Sequence, residues 1–231
     1  MKKLPNRTLV RVALIFAVAA GVGSASASAR SLVRIANPGD TAPQDAPGSA
    51  GKPGLAAKSP ADQPLPSTAA ERSKLLSNLY AYLATAESES DAQPIQAAIE
   101  RLWLYSGSDT IGVLMDRAAK GIAAKNYESA LRFLDAVVDI APDYAEGWNR
   151  RAFVHYLNND VERMVGDLRR CLALEPNHFR ALEGLAQIMR ETGQNKAALK
   201  AYQKLLEINP NSAGAKDGIK ELSRDVEGQK T

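Results

Sequence analysis

Residues 111–212 contain the strongest indication of the fold. They divide into three segments, IGVLMDRAAKGIAAKNYESALRFLDAVVDIAPDY (111–144), AEGWNRRAFVHYLNNDVERMVGDLRRCLALEPNH (145–178) and FRALEGLAQIMRETGQNKAALKAYQKLLEINPNS (179–212). Each segment has 34 residues, and no insertion separates one from the next. A proline stands at the same place near the end of each, at Pro142, Pro176 and Pro210. Such a fixed period indicates an array of repeated structural units.

Equivalent positions of the three segments carry residues of the same kind. Large apolar residues recur at helical spacing in both halves, and a small residue recurs at the eighth position, where two helices must approach closely. Short polar turns separate the two halves of each unit, and the proline ends the second half because it disfavours helical geometry in the residue before it. Each unit is therefore predicted to be an antiparallel helix pair that buries its faces by stacking on its neighbours. The eighth position holds Ala118, Ala152 and Ala186, and the twenty-fourth holds Leu134, Leu168 and Tyr202.

These residues resemble the tetratricopeptide repeat, a 34-residue helix-turn-helix unit. The resemblance implies an all-α fold, a short right-handed α-solenoid with repeats at 111–144, 145–178 and 179–212. Three residues depart from the repeat pattern and raise the question of how tightly the second unit packs: Arg117, Arg151 and Met164. The best local matches are the run from Tyr127 to Leu131 with Pro142, then Trp148 with Ala152 and Tyr156, and then Leu182, Leu185, Ala186, Ala198, Tyr202 and Pro210.

Helical patterns also flank the repeats. Residues 213–225 carry Ala215, Ile219 and Leu222 on one stripe, which predicts an amphipathic helix that caps the open end of the array. Residues 68–110 are predicted to form an N-terminal helix pair, with helices at 69–86 and 94–105 joined by an acidic turn. Since no proline follows at the expected place, this pair is interpreted either as a degenerate repeat or as an N-terminal cap.

The first 29 residues have the pattern of a secretory signal. Basic side chains precede the apolar run 12–22, and small residues at 25–29 supply a cleavage site after Ala27 or Ala29. The apolar run has about half of the roughly 20 residues that a membrane-spanning helix needs. We therefore expect export to the periplasm, and the alternative is a membrane tether formed by an uncleaved signal.

Residues 30–67 are predicted to form a disordered linker. This stretch holds seven prolines and few large apolar residues, so it cannot bury enough surface to offset its ordering entropy. Its role is either a spacer that lets the array reach a partner at the membrane or an unselected connection.

Removal of the signal changes the charge balance of the chain, because 29 basic and 26 acidic residues become 25 basic and 26 acidic residues. A nearly neutral mature protein gives no support to nucleic-acid binding.

The residues LWLYSGSDT at 102–110, followed by such repeats, resemble a group of exported tetratricopeptide proteins of alphaproteobacteria. That resemblance implies a periplasmic protein linked to the cell envelope.

The sequence contains few candidates for chemistry. Cys171, His155 and His178 are the only soft metal ligands, which is too few for a metal cluster, and neither histidine has a recognisable catalytic spacing to the cysteine. Cys171 lies at a small apolar position of a second helix, where a buried, inert thiol is expected in preference to a nucleophile. No glycine-rich phosphate loop is present in the predicted mature chain. We therefore expect no enzyme activity, no metal and no cofactor.

What remains is the inner surface that the resemblance implies. In tetratricopeptide arrays the first helix of each unit lines a concave groove, with partner contacts at set positions. We call the corresponding residues here the predicted groove; its first unit is apolar and its third is charged, so it suits an extended peptide or a helix. The predicted groove comprises Met115, Ala119, Ile122, Glu146, Asn149, Phe153, Tyr156, Arg180, Glu183, Gln187 and Arg190.

The sequence therefore predicts a non-catalytic scaffold that binds a protein or peptide partner of the periplasm or envelope and supports envelope integrity. Two alternatives remain open. One is a self-associating assembly subunit of an envelope complex, and the other is an enzyme acting on peptidoglycan or another envelope component. No partner made of nucleic acid and no stable membrane insertion after signal cleavage are expected.

Overall fold

The computed structural model describes residues 65–66 and 68–228, with side chains as far as residue 223. The predicted signal and nearly all of the predicted linker lie outside these residues. Within them the chain forms nine α-helices and no strand. The helices are α1 (Ala69–Ala84), α2 (Glu89–Leu104), α3 (Asp109–Ala123), α4 (Tyr127–Ile140), α5 (Ala145–Leu157), α6 (Val161–Leu174), α7 (Phe179–Glu191), α8 (Asn195–Ile208) and α9 (Ala213–Gly228).

Helices α3 to α8 form three helix pairs, one in each 34-residue segment. Within each pair the chain reverses at the fifteenth position of the repeat, where the backbone is left-handed: φ is 56° at Lys125, 59° at Asn159 and 79° at Gly193. Each pair packs on the next, α4 against α5 and α6 against α7. The predicted all-α fold of stacked helical repeats is therefore confirmed.

The second helices of the first two units begin at side-chain caps. The Asn126 carboxamide oxygen accepts a hydrogen bond from the Ser129 amide at 3.1 Å, and the Asp160 carboxylate accepts one from the Arg163 amide at 3.1 Å. These bonds satisfy backbone donors that have no partner inside the helix. Local sequence at the turns therefore sets where α4 and α6 begin.

The three residues that depart from the repeat pattern all find partners. Met164 is fully buried in one cluster with Ala152 and Leu168, where its unbranched chain fills the space. Arg151 donates to both oxygens of Asp167 at 2.8 Å and to Asp135 at 3.0 Å, so one guanidinium links α4, α5 and α6. The Arg151 guanidinium also lies 4.8 Å from the ring centre of Trp148.

The outer face of the first unit is exposed to solvent. At the third, seventh and tenth positions of this unit stand Val113, Arg117 and Lys120, all exposed. The third unit buries apolar side chains at the equivalent positions, Ala181, Leu185 and Ile188. The Arg117 guanidinium lies 5.8 Å from the ring centre of Phe133 on α4. The first unit therefore ends the stack with a solvent-exposed face.

At the other end, α9 covers α8. Ala215 and Leu222 of α9 are buried in one core with Tyr202 of α8. Gly218 sits directly over the Tyr202 ring, since a Cβ built on Gly218 would lie 2.4 Å from that ring. The helix predicted at this end of the array is thus present and packs on the third unit.

The N-terminal helices differ from the prediction in two ways. Helix α2 begins at Glu89, not at Pro94, because the Ser88 hydroxyl accepts a hydrogen bond from the Asp91 amide at 3.2 Å and caps the helix early. Two acidic residues of the predicted turn, Glu89 and Asp91, therefore lie in the first turn of α2, where the helix dipole favours negative charge.

The second difference is the location of the pair. A preceding repeat or a cap would stack on α3, but α1 packs against α8, and α2 packs against α5. Leu79, Ile99 and Leu102 of the pair are buried in one core with Leu182 and Leu205 of the third unit. The pair is thus folded back onto the second and third units.

None of the described helices combines the length and the apolar character that a membrane crossing requires.

Candidate partner-binding surface

The first helices of the three units lie side by side. Ile122 of α3 packs against the cluster that contains Phe153 and Tyr156 of α5, and the same cluster includes Leu185 and Ile188 of α7. The structure therefore brings the predicted groove residues of the three units onto one continuous row of helices.

The predicted groove residues differ in exposure. The first unit offers Met115, Ala119 and Ile122, all partly exposed, and the third offers Arg180, Glu183 and Arg190, also partly exposed. The remaining five are buried: Glu146, Asn149, Phe153, Tyr156 and Gln187. Their role in partner binding stays a prediction. A partner meets the two ends of the row directly, and the middle is largely covered.

Glu146 lies at the centre of a buried polar network. Its Oε1 accepts from Arg150 Nε at 2.6 Å, and its Oε2 accepts from Asn149 Nδ2 at 2.9 Å and contacts His178 Nε2 at 3.1 Å. Burial raises the pKa of the Glu146 carboxyl, but Arg150 and His178 together lower it by more than burial raises it. The resulting pKa is about 2. The carboxylate is therefore charged at neutral pH, and its three partners balance the cost of burying it.

His178 joins this network to a helix start. Its Nδ1 accepts a hydrogen bond from the Ala181 amide at 3.2 Å, so the imidazole caps α7. Because Nδ1 is an acceptor, the ring proton lies on Nε2, which donates to Glu146. Trp103 of α2 stacks on this ring with the centroids 3.8 Å apart. The sequence placed His178 in a turn, and its only signal for this role was its place just before a helix.

Helix α2 covers the middle of the predicted groove. Arg180 donates from Nε to Glu100 Oε1 of α2 at 2.7 Å and lies 3.7 Å from Glu183. Burial raises the pKa of Glu183, Arg180 lowers it and Glu100 raises it, with a net rise. Groove residues of the second and third units are therefore held by contacts within the chain, which the repeat pattern alone did not indicate.

The charged end of the predicted groove is also partly engaged. Gln187 donates to Glu191 at 3.1 Å, and Arg190 pairs with Glu221 of α9. The other end consists of Met115, Ala119 and Ile122, whose side chains are uncharged. A partner thus meets an apolar surface at α3 and a surface of paired charges at α7.

The candidates for chemistry are buried. Cys171 is fully buried, and burial together with Glu146 and Glu175 raises the pKa of its thiol, which disfavours the thiolate. His155 lies 3.7 Å from Asp167, and burial lowers its pKa. Across residues 65–66 and 68–228, no group of three or more histidine, cysteine or acidic residues could hold a metal ion.

Comparison with known proteins agrees with this geometry. A family model described as tetratricopeptide repeat matches residues 179–212. A TPR repeat-containing protein of Rhizobium etli is 34% identical over 181 residues, which cover 73% of this chain and 89% of that protein. The small glutamine-rich tetratricopeptide repeat-containing protein 2 of Saccharomyces cerevisiae is 27% identical over 111 residues, covering 48% of this chain and 31% of that protein.

The chain is also similar to two solved structures. The Sgt2 TPR domain from Aspergillus fumigatus matches with a TM-score of 0.49 and 22% identity, covering 53% of this chain and 83% of that one. The first TPR of Spaghetti (RPAP3), bound to an HSP90 peptide, matches with a TM-score of 0.49 and 19% identity, covering 52% of this chain and 94% of that one.

The fold and the row of first helices define a helical-repeat protein. Because it is 34% identical to the Rhizobium etli protein and covers 89% of it, the chain belongs to the tetratricopeptide repeat proteins. The resemblance on which the sequence prediction rested is confirmed. This fold is in general a non-catalytic scaffold for interactions with other proteins.

Proposed function

We propose that this protein is a non-catalytic scaffold of the periplasm that binds a peptide or a helix of an envelope protein along the predicted groove. The partner's binding contributes to the integrity of the cell envelope. The observation that carries the proposal is the partly exposed apolar end of the row on α3, where Ile122 packs against the buried cluster of Phe153 and Tyr156. A row of helices with an apolar end suits an amphipathic segment, which would lay its apolar face against α3.

The periplasmic part of the proposal rests on the sequence of residues 1–29, which lie outside the described residues. It is tested by expressing the full chain, separating periplasm from membrane and sequencing the N terminus of the product. A mature protein beginning at Ser28 or Arg30 in the periplasmic fraction supports export. A full-length chain in the membrane fraction supports an uncleaved tether instead.

The binding part is tested by crosslinking in cells. A photoreactive amino acid replaces Ala119, a partly exposed residue of the predicted groove on α3. The matched control carries the same amino acid at Ile140, which is 59% exposed and lies outside the predicted groove. The proposal expects a protein captured at position 119 and absent at position 140, and mass spectrometry identifies it.

Three results separate the proposal from its alternatives. Capture of a second copy of this chain at position 119 favours a self-associating assembly subunit, and sedimentation would then show a mass that rises with concentration. Equal capture at both positions contradicts a specific groove. No capture at position 119 contradicts the proposed function.

A further inference from the structure

The exposed side of α8 carries a stripe of three lysines. Lys196, Lys200 and Lys204 are all exposed and lie four residues apart, so they follow one side of the helix. Lys204 pairs with Glu207 at 2.9 Å. Among the side chains that the structure describes, no carboxylate pairs with Lys196 or Lys200. The stripe therefore presents positive charge to the solvent that the chain itself does not neutralise.

This arrangement is unfavourable for the helix that carries it. Like charges four residues apart on a helix surface repel each other. Lys196 also lies in the first turn of α8, which holds no acidic residue and has no side-chain cap, so its charge opposes the helix dipole. The repeat does not require lysine here, since the first unit has Glu128, Arg132 and Ala136 at the equivalent positions. A charge pattern that opposes local stability points to a role outside the helix.

Helix α6 extends this positive surface. Arg169 and Arg170 are exposed, and Leu172 of α6 packs against the core that contains Tyr202 and Leu205 of α8, so the two helices are neighbours. Together α6 and α8 expose six basic and two acidic residues, whereas α4 exposes one basic and three acidic residues. The positive charge is thus concentrated on the second helices of the second and third units. We call the following residues the basic face: Arg169, Arg170, Lys196, Lys200 and Lys204.

The composition of the basic face indicates what kind of partner it fits. None of the described large apolar side chains that are exposed lies on α6 or α8. Specific protein interfaces centre on aromatic or apolar anchors that become buried, and the basic face offers none. A bilayer surface of anionic lipids needs no such anchor, since each lysine near it strengthens binding about fivefold by charge attraction alone.

We propose that the basic face is a docking surface for an anionic phospholipid bilayer, on which the protein rests by charge attraction without inserting. The predicted groove lies on the first helices of the units, and the basic face lies on the second helices. The inference therefore does not rest on the proposed function.

The test measures how much of the full chain sediments with lipid vesicles. One set of vesicles consists of phosphatidylcholine, and the other contains phosphatidylglycerol as well, which makes the surface negative. We expect tighter binding to the anionic vesicles, and this preference should disappear in high salt because counterions screen exposed charges. Any contribution of residues 1–29 is the same in every variant, so the variants report on the basic face alone.

A triple variant removes the stripe, and a matched triple variant removes three exposed positive charges from the first unit. Lys196→Gln/Lys200→Gln/Lys204→Gln should weaken binding to anionic vesicles about 100-fold, the product of three fivefold effects. The control should keep most of the binding. It is Arg117→Gln/Lys120→Gln/Lys125→Asn, with asparagine at position 125 because that residue tolerates the left-handed backbone there.

Lys200→Glu separates lipid binding from folding. A glutamate at this position pairs with lysines four residues away on both sides, so this variant should resist urea better than the wild type and yet bind anionic vesicles more weakly. The inference is overturned if the wild type binds neutral and anionic vesicles equally, or if the control loses as much affinity as the lysine variant. Capture of a partner at position 119 in cells is independent of either result.

Discussion

At the scale of single residues, His178 contacts three helices, which the repeat pattern did not predict. It caps α7 through the Ala181 amide, contacts Glu146 on α5 and stacks on Trp103 of α2. These contacts depend on one ring with two distinct nitrogens. The residue is fully buried, so each contact lies where water cannot replace it.

Two substitutions at this position separate its roles. His178→Ala removes the cap, the Glu146 contact and the stacking, and we expect it to lower the free energy of unfolding by about 3 kcal/mol. His178→Asn keeps a cap acceptor, since asparagine is a favoured residue there, and should restore about 1 kcal/mol of that loss. Urea denaturation measures both. Equal stability of the two variants would show that the cap contributes nothing.

Glu146 predicts a specific dependence of stability on pH. The pKa of this carboxyl falls from its ordinary value of 4.5 to about 2 in the fold, so the charged form stabilises the protein above pH 4.5. That contribution decreases as the pH falls from 4.5 towards 2, by about 3 kcal/mol in total. Glu146→Gln has no such titration. The stability difference between wild type and Glu146→Gln should therefore shrink over this range, and a constant difference would contradict the assignment.

At the scale of elements, the second unit has an ion pair where the third unit has two apolar residues. Arg151 and Asp167 occupy the seventh and twenty-third positions of the second unit, and the third unit has Leu185 and Ala201 there. Asp167 is 5% exposed, and both of its carboxylate oxygens accept hydrogen bonds from Arg151 at 2.8 Å. The second unit therefore joins α5 and α6 at these positions by charged hydrogen bonds, and the third unit has apolar side chains there.

This difference can be tested by converting one unit to the other. Arg151→Leu alone leaves the Asp167 carboxylate buried without its main partner, and we expect a loss of about 3 kcal/mol. Arg151→Leu combined with Asp167→Ala copies the pair found in the third unit and should recover most of that loss, because an apolar replacement of a buried ion pair is often neutral. Thermal or urea unfolding measures the recovery. A double variant no more stable than the single one would contradict this interpretation.

At the scale of the whole molecule, both ends of the described chain share one core. Leu83 and Ile99 of the N-terminal pair lie in the same cluster as Tyr202 of α8 and Leu222 of α9. The first unit, by contrast, has a solvent-exposed outer face, and α3 buries only Ile111 and Ala118. The stack is therefore closed at one end by long-range packing and open at the other.

Hydrogen exchange should show this asymmetry. We expect amides of α3 to exchange faster than those of α7, which buries eight of its residues, because local opening is easiest where few apolar contacts hold a helix. Amides of α2 should be protected to the same degree as those of α8, since the two helices contribute to one core. Mass spectrometry of exchanged peptides measures both. Fast exchange of α2 with slow exchange of α8 would contradict the shared core.

Much of the fold could be predicted from the sequence because its signals are local. The left-handed residues Lys125, Asn159 and Gly193 fall at one position of the repeat, and Asn126 and Asp160 cap the helices that follow. The candidate partner-binding surface was harder to predict from the sequence. The predicted groove residues do lie on one row of helices, but the burial of Glu146 and Asn149 beneath α2 depends on contacts between residues far apart in the chain, which no period encodes.

The 34-residue units, their helix pairs and their order follow from the amino-acid sequence alone. The prolines at Pro142, Pro176 and Pro210 and the small residues at the eighth position act within one unit or between adjacent units. The location of the N-terminal pair, by contrast, is evident only from the folded molecule. That choice depends on the fit of Trp103 between His178 and Phe179 and of Glu100 against Arg180. Side-chain complementarity across about 80 residues is set by three-dimensional packing, whereas a helical period is set by neighbours along the chain.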